Sequence, residues 1–413
     1  MADNGNNPDT VTLTIDGREV TVPKGTSLLE AAKQVGEEIP HYCYHPGLSA
    51  PAQCRLCLVE VEGAPKPLPS CVTQAQQDQV VRTQSDVALG ARTGVLEFYL
   101  VNHPLDCPIC DQAGECDLQN YVHREGRAHG RGREPKRVFG RDDFGGDVLY
   151  YGDRCVMCTR CVRFMNEVED DARLCVVERG DRSVIDTFFE RGIEGTKWAG
   201  NIVDICPVGA LISKDFLHKA RAWDLDKTPS VCPSCSQGCN ITLQTRDDLV
   251  QRLKPRENLE VNGWWMCDFG RHNYEWMNRQ DRLLEPYVRG EADTWPGALE
   301  SLFKQLQGVK GGVKAVTWAH SANEDMGLLK ALVNTLGGGE VVYRSPRTEG
   351  EVPLPGFPLL ARREDLAPNV NGAEILGFSR VGDDDGSGGL DDIGKHTGVL
   401  IMVGDALADQ PAD

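Results

Sequence analysis

Residues 153–164 read DRCVMCTRCVRF, and residues 200–211 read GNIVDICPVGAL. Cys155, Cys158 and Cys161 stand in C-x2-C-x2-C spacing, and Cys206-Pro207 follows downstream. Where two tetranuclear iron–sulfur centres share one small fold, the run C-x2-C-x2-C-x3-C-P occurs twice, and each fourth cysteine ligates the other cluster. Here the fourth place of the first run is Met165-Asn166. The first three places of the second run, counted back from Cys206, are Thr196, Ala199 and Ile202. One whole ligand set is replaced by non-ligands while its complement is complete, a pattern random loss rarely leaves. The stretch predicts a ferredoxin-like fold carrying one [4Fe–4S] cluster on Cys155, Cys158, Cys161 and Cys206. A zinc ribbon is the alternative.

Three further donor sets flank it. Cys43, Cys54, Cys57 and Cys71 are spaced C-x10-C-x2-C-x13-C. Upstream, residues 10–22 alternate with period two around Asp16-Gly17, a two-residue hairpin signal. Ser27-Leu28-Leu29-Glu30 fits a capping box, Leu28, Ala31, Ala32 and Val35 share one face, and Gly36 ends the helix. Hairpin, helix and then a cysteine loop read as a β-grasp ferredoxin-type domain. That context favours [2Fe–2S] over zinc at this set.

His103, Cys107, Cys110 and Cys116 are spaced H-x3-C-x2-C-x5-C. Three thiols need a fourth donor, and the leftover Cys175 lies beyond another motif, so His103 is the preferred ligand of a [4Fe–4S] cluster. An apolar stripe over 86–102 (Val95, Leu96, Phe98, Tyr99, Leu100) predicts a helix stopped by Pro104, with His103 near its C-terminal end. Exchanging thiolate for neutral imidazole removes a negative charge and favours a higher potential. Cys232, Cys235, Cys239 and Cys267, spaced C-x2-C-x3-C-x27-C, suit zinc nearly as well as iron when read alone. After three clusters, [4Fe–4S] is preferred. Cys175 is expected to be a buried, inert thiol.

Composition bounds the rest. A chain of 413 residues implies about three domains. Lys+Arg 44 against Asp+Glu 62 leaves a net charge of −18, which disfavours nucleic acid as the main partner. No run of 18 apolar residues suggests a direct membrane span. The opening MADNGNNPDT lacks a secretory signal, so a soluble cytosolic chain is expected. All sixteen cysteines lie between Cys43 and Cys267, and a reducing compartment favours metal or redox chemistry over disulfides. Residues 123–146 carry Arg124, Arg127, Arg131, Arg133, Lys136, Arg137 and Arg141. Composition admits a nucleic-acid arm there, but the acidic whole favours an irregular segment gripping a partner or an acidic neighbouring domain. After about 290 the pattern becomes α/β, with strands at 313–318, 341–343 and 399–403 and a helix at 324–336. Residues 382–392 form a low-complexity acidic loop. Gly337-Gly338-Gly339 follows a helix rather than opening one, so it reads as a cap or turn. No G-x-G-x-x-G between strand and helix and no phosphate-binding loop occurs, leaving no evident seat for NAD or FMN.

The runs HYCYHPGLSAPAQCRLCLVEVEG (41–63), NHPLDCPICDQAGECDLQNY (102–121), DRCVMCTRCVRF with GNIVDICPVGAL, and VCPSCSQGCN (231–240) resemble the large iron–sulfur subunit of bacterial NADH–quinone oxidoreductase, respiratory complex I. The likeness covers about residues 10–280. It implies a multidomain α+β protein: a β-grasp [2Fe–2S] domain at 10–90, a His/Cys3 [4Fe–4S] domain with basic linker at 91–146, and a ferredoxin-like [4Fe–4S] domain at 147–225. A [4Fe–4S] domain at 226–285 and a partial α/β domain at 290–413 would follow, both like those of molybdopterin oxidoreductases but without that cofactor. The implied role is electron relay from an NADH/FMN-binding subunit toward quinone. The implied partners are that subunit and other iron–sulfur subunits, and the implied place is peripheral, on the cytoplasmic side of the membrane. By resemblance the fourth cluster lies off the main path. Members of the family usually continue well past the position of Asp413, so this chain is either short or a fragment. Two other readings stay open. One is the electron-input module of a soluble NAD-linked formate dehydrogenase or iron hydrogenase, against which Met165 and the missing second set argue. The other is a colourless, zinc-stabilised scaffold that binds partners through 123–141.

Overall fold

The fold is taken from a computed structural model in which residues 9–307, 312–381 and 398–404 are described. The acidic loop at 382–392 lies outside them. The chain divides into two compact units, residues 1–225 and 226–413.

In the first unit, β1 (Thr10–Ile15) and β2 (Arg18–Pro23) pair antiparallel. Their turn places Asp16 at φ 47° and Gly17 at φ 80°, the left-handed pair that matches the strands' twist. Helix α1 (Leu28–Gln34) starts on Ser27, whose hydroxyl accepts the Glu30 N–H. It stops before Gly36, at φ 79°. Leu28, Leu29, Ala31 and Ala32 are buried against Leu13, Ile15, Val22, Val59 and Val81, in a core that also contains Cys57 and Cys71. With β3 (Leu58–Val61), β4 (Leu68–Pro69) and β5 (Val80–Arg82), the sheet order is β2-β1-β5-β3-β4, and β1 runs parallel to β5. This is the expected β-grasp.

Helix α2 (Asp86–Asn102) is capped by Ser85 and ends at His103, as Pro104 requires. Its buried row differs from the apolar stripe. Phe98 is 81% exposed, whereas Ala88, Arg92 and Leu96 are buried. The helix presents this row because α3 (Asp117–Glu125) packs beside it and brings Glu125 to Arg92 at 2.6 Å.

The basic segment is helical at its start, within α3, and a strand at its end, β6 (Arg141–Gly145). Between them it is irregular, and what it grips is α2 of its own chain. Arg131 forks onto Glu97 with two bonds of 2.6 Å. The Lys136 ammonium donates to the Leu100 and Val101 carbonyls at 2.7 and 3.1 Å, the carbonyls a helix leaves open at its C-terminus. Lys136→Met is expected to lower stability by about 0.3–1 kcal/mol, read as a lower melting temperature, with Arg133→Met as a near-neutral control.

β6 continues into β7 (Val148–Tyr151), α4 (Arg160–Glu167), the ribbon β8 (Cys175–Val177) with β9 (Val184–Asp186), α5 (Asn201–Asp204) and β10 (Leu211–Ser213). The sheet order is β10-β7-β6. Three of the four replaced ligand positions, Met165, Ala199 and Ile202, are buried, and the fourth, Thr196, is half-buried. Apolar side chains fill places where a second donor set would stand.

In the second unit, β11 (Asp226–Val231), β12 (Asn240–Arg246) and β13 (Leu249–Pro255) form an antiparallel sheet followed by α6 (Asp268–His272). A small hairpin, β14 (Tyr287–Val288) and β15 (Glu291–Ala292), leads to α7 (Trp295–Leu306). Then come β16 (Val313–Trp318), α8 (Asn323–Thr335), β17 (Gly339–Arg344), the pair β18 (Val352–Pro353) and β19 (Ala361–Arg362), α9 (Val370–Ile375), β20 (Ser379–Arg380) and β21 (Val399–Val403). The sheet β20-β17-β16-β21 is parallel, as the α/β alternation predicts. Gly337 and Gly338, at φ 106° and 83°, make the turn after α8. Among the described residues no helix is long and apolar enough to cross a membrane.

Candidate metal centres

The first set lies on the loop between α1 and β3, with Cys71 just after β4. All four cysteines are buried. Ala52 and Arg55 both sit at φ 54°, so two non-glycine residues in the left-handed region bend the backbone around Cys54. The Cys43 thiol bonds those of Cys54 and Cys71, and these bonds hold Cys43 well below the usual thiol range while pushing its two neighbours up. Cys57 is lowered to about 7, chiefly by its bond from Cys71. From α2, the Tyr99 hydroxyl donates to the Cys54 carbonyl at 3.0 Å.

The second set spans the joint between α2 and α3. His103 caps α2, Cys107 opens a single 3-10 turn, Cys110 closes it, and Cys116 caps α3. Cys107 is exposed; Cys110 and Cys116 are buried. Burial, then the charges of Lys136 and Arg154, depress His103 to about 4. Its imidazole is therefore neutral at pH 7, the form that ligates metal. Its place in the set rests on spacing and on the helix end, since its electrostatic neighbours are Lys136, Arg154 and Asp106. Across from Cys110, a Cβ on Gly209 would overlap the Cys110 sulfur. Gly209→Ala is therefore expected to displace that sulfur and to weaken or abolish the second cluster's EPR signal while the other signals persist.

The third set shares one cavity, with Cys158, Cys161 and Cys206 buried and Cys155 half-buried. Cys155, Cys158, Cys161 and Cys206 line one cavity with Tyr150, Ile185, Val208 and Leu211. Met157 and Thr159 have φ of 48° and 57°, reversing the chain between successive cysteines, and the Met157 N–H points at the Cys155 sulfur, 3.3 Å away. Burial pushes Cys155, Cys158 and Cys206 up to about 11, and Cys161 well above its ordinary value.

In the second unit, Cys232 follows β11 and Cys239 precedes β12, joined by the Cys232 N–H to the Cys239 carbonyl at 2.8 Å. Cys267 caps α6, its sulfur accepting the Gly270 N–H at 3.3 Å. A Cβ on Gly270 would lie 3.0 Å from the Cys232 sulfur and 3.4 Å from that of Cys267, so the helix backbone brings those two thiols to one place. Burial raises Cys232 to about 11.

Among the described residues, no three His, Cys, Asp or Glu side chains gather tightly enough to hold a single ion. The sets are defined by shared loops, shared cavities and sulfur chemistry. Soft thiolate donors with almost no oxygen suit iron–sulfur clusters or zinc rather than hard cations. Buried thiols stay protonated unless a cationic core favours their thiolates, and iron–sulfur cores fit that need.

Cys175 departs from expectation. It is half-buried rather than buried, because it stands on a two-stranded ribbon opposite Asp186 with little to cover one face. Tyr99, Arg160 and Arg163 serve the donor loops, yet sequence reasoning does not single them out for that role. In the sequence they look like ordinary helix positions until their targets are seen.

This succession of a four-cysteine β-grasp domain, a His/Cys3 joint, a ferredoxin-like fold and a further cysteine set defines a multidomain iron–sulfur protein. Its relatives narrow the class. Residues 8–86 match the 2Fe-2S iron-sulfur cluster binding domain, and 92–131 match the NADH-ubiquinone oxidoreductase-G iron-sulfur binding region. Residues 145–212 match the ferredoxin-like domain of NADH-quinone oxidoreductase subunit 3, and 225–279 the molybdopterin oxidoreductase Fe4S4 domain. The chain is 40% identical over 342 residues to the mitochondrial NADH dehydrogenase [ubiquinone] iron-sulfur protein 1 of Solanum tuberosum, covering 81% of this chain and 46% of that one. It is 40% identical over 341 residues to the NADH-ubiquinone oxidoreductase 75 kDa subunit of Reclinomonas americana, covering 81% and 49%. A subunit of the NADH-quinone oxidoreductase of Rickettsia felis is 39% identical over 333 residues, covering 79% and 49%. A crystal structure of an NAD+-reducing [NiFe]-hydrogenase aligns at TM-score 0.46 and 29% identity, over 51% of this chain and 90% of that one. The chain belongs to the family of the large iron–sulfur subunit of NADH-quinone oxidoreductase. It spans about half the length of the curated relatives it matches.

Proposed function

We propose that the chain is an electron-transfer subunit of an NADH–quinone oxidoreductase, relaying electrons from an NADH/FMN-binding subunit toward quinone. Its ligands are Cys43, Cys54, Cys57 and Cys71 for one [2Fe–2S] cluster. Three [4Fe–4S] clusters are held by His103, Cys107, Cys110 and Cys116, by Cys155, Cys158, Cys161 and Cys206, and by Cys232, Cys235, Cys239 and Cys267. The domains follow the bounds 10–90, 91–146, 147–225, 226–285 and 290–413. Neighbouring iron–sulfur subunits complete the path, peripheral on the cytoplasmic side of the membrane. The chain has no complete active site of its own, and FMN, NAD and molybdopterin belong elsewhere.

The observation that carries this reading is the continuity of the first three sets within one unit. The Gln53 amide donates to the Met157 carbonyl at 2.7 Å, joining the first set's loop to the third's. The Asp117 N–H donates to the Pro207 carbonyl at 3.0 Å, joining the second's to the third's. When bound, each cluster supplies a store for one electron. The residues hold the donors in place and, except at exposed Cys107 and half-buried Cys155, keep water from the sulfurs. Iron counting with EPR on protein made without oxygen tests it: about fourteen iron atoms per chain are expected, one binuclear and three tetranuclear centres. Stoichiometric zinc with little iron would refute it.

A further inference from the structure

Two arginines of α4 are buried where the first and third donor sets meet. Arg160 and Arg163 are 8% and 9% exposed. Arg160 donates to the Ile205 carbonyl at 3.0 Å and to the Tyr44 carbonyl at 2.6 Å. Each acceptor is next in sequence to a proposed ligand, Cys206 and Cys43. Arg163 goes to the ligand residues themselves. It donates to the Cys43 carbonyl at 2.5 Å and the Cys158 carbonyl at 3.2 Å, and also to the Ser49 carbonyl. Its Nε reaches the Thr159 hydroxyl at 3.3 Å. All these acceptors are neutral. Two like charges side by side in a buried place are costly unless negative charge stands near.

Four-thiolate clusters bear net negative charge, and one unit more when reduced. We propose that Arg163, with Arg160, is a shared counter-cation of the first and third clusters, holding both reduction potentials up together. The inference rests on the ligand assignment above. A fixed cation beside a buried cluster favours the form with the added electron, since net charge and hydrogen bonding set cluster potentials. One guanidinium touching a ligand residue of each cluster makes the two potentials respond to one side chain. Its hydrogen bonds go to carbonyls and a hydroxyl rather than to a carboxylate, which would cancel the effect; the carboxylate electrostatically coupled to it, Glu167, is exposed and accepts from Ser49 instead. Arg163 is thus a positioning and tuning residue for the electron path, acting through the clusters rather than on a substrate.

The test is an EPR-monitored redox titration of the full chain made without oxygen, with iron counted in each sample. Arg163→Met is expected to lower the midpoints of the first and third clusters and leave those of the second and fourth in place. Arg163→Lys, which keeps the charge and loses the fork, is expected to retain most of both potentials. Unchanged midpoints in a fully loaded Arg163→Met protein overturn the inference, as does an equal shift in Arg163→Lys. Should Arg163→Met lose its clusters, Glu167→Gln decides. Glu167 is an exposed residue that accepts the Ser49 N–H at 2.9 Å and is electrostatically coupled to Arg163. Its neutralisation is expected to raise both midpoints, and no rise overturns the inference. Wild-type chain without iron would instead overturn the ligand assignment on which it rests.

Discussion

Cys158→Ser, prepared without oxygen and assembled into the complex, is expected to lose the third cluster and most NADH-to-quinone electron flow. Reduction of ferricyanide by the flavin-bearing subunit should continue. The reason is local. Cys158 lines the enclosed cavity of the third set, and its carbonyl is one of the two ligand-residue carbonyls held by Arg163. A serine hydroxyl is a harder and less readily ionised donor than a thiol, poorly matched to iron–sulfur cores. Iron should fall from about fourteen to about ten atoms per chain. The first and second sets are each joined to the third set's loops, through Gln53 and Asp117, so removing the third interrupts the chain of centres at its middle. Cys175→Ser is the control: half-buried on the ribbon and outside every donor set, it should leave iron content and electron flow unchanged. Equal loss of quinone and ferricyanide activities in Cys158→Ser would mean that the residue serves assembly rather than conduction.

What could be read from sequence was local. The Asp16-Gly17 turn, the Ser27 cap and the stop at Pro104 depend on residues within a few positions of one another, and all three form as expected. Cysteine spacing is local in the same sense, because two thiols three apart on a loop are confined to one small volume. The inward face of α2 was not legible. Its apolar stripe includes Phe98, which faces solvent, while Arg92 turns inward toward a carboxylate 33 residues further on. Arg160 and Arg163 read as ordinary charges between cysteines, because the carbonyls that receive them lie 116 and 120 positions away. The exposure of Cys175 likewise depends on how fully a ribbon partner covers it. Distant partners, not local propensity, decide each of these cases.

Glu125→Ala is expected to destabilise the first unit by about 3–5 kcal/mol, the cost of leaving a buried charge without its partner. The Arg92 side chain is 0% exposed and that of Glu125 5%, with Nε and Oε2 2.6 Å apart. Both guanidinium NH2 nitrogens of Arg92 lack hydrogen-bond acceptors among the described residues, so the carboxylate supplies most of the compensation available there. Without it the charge has nowhere to go, since a guanidinium does not give up its proton. The double variant Arg92→Met with Glu125→Leu removes both charges and fills similar volume, and it is expected to unfold near the wild-type denaturant midpoint or above it. The Thr93 hydroxyl bond to the Glu125 carbonyl, at 2.8 Å, is available in every variant, and both Glu125 variants lose the more exposed contact from the Arg124 Nε at 3.4 Å, so comparing the single variant with the double one isolates the buried charge of Arg92. Denaturation of the loaded chain should therefore rank the single variant well below both others. A double variant as fragile as the single one would assign the loss to packing instead. The pair also bears on why a helix carrying His103 at its end lies beside a helix opening on Cys116: this buried ion pair and the Thr93–Glu125 bond tie the joint across which the second donor set is strung. The single variant is accordingly expected to broaden or weaken the second cluster's EPR signal before it alters that of the fourth.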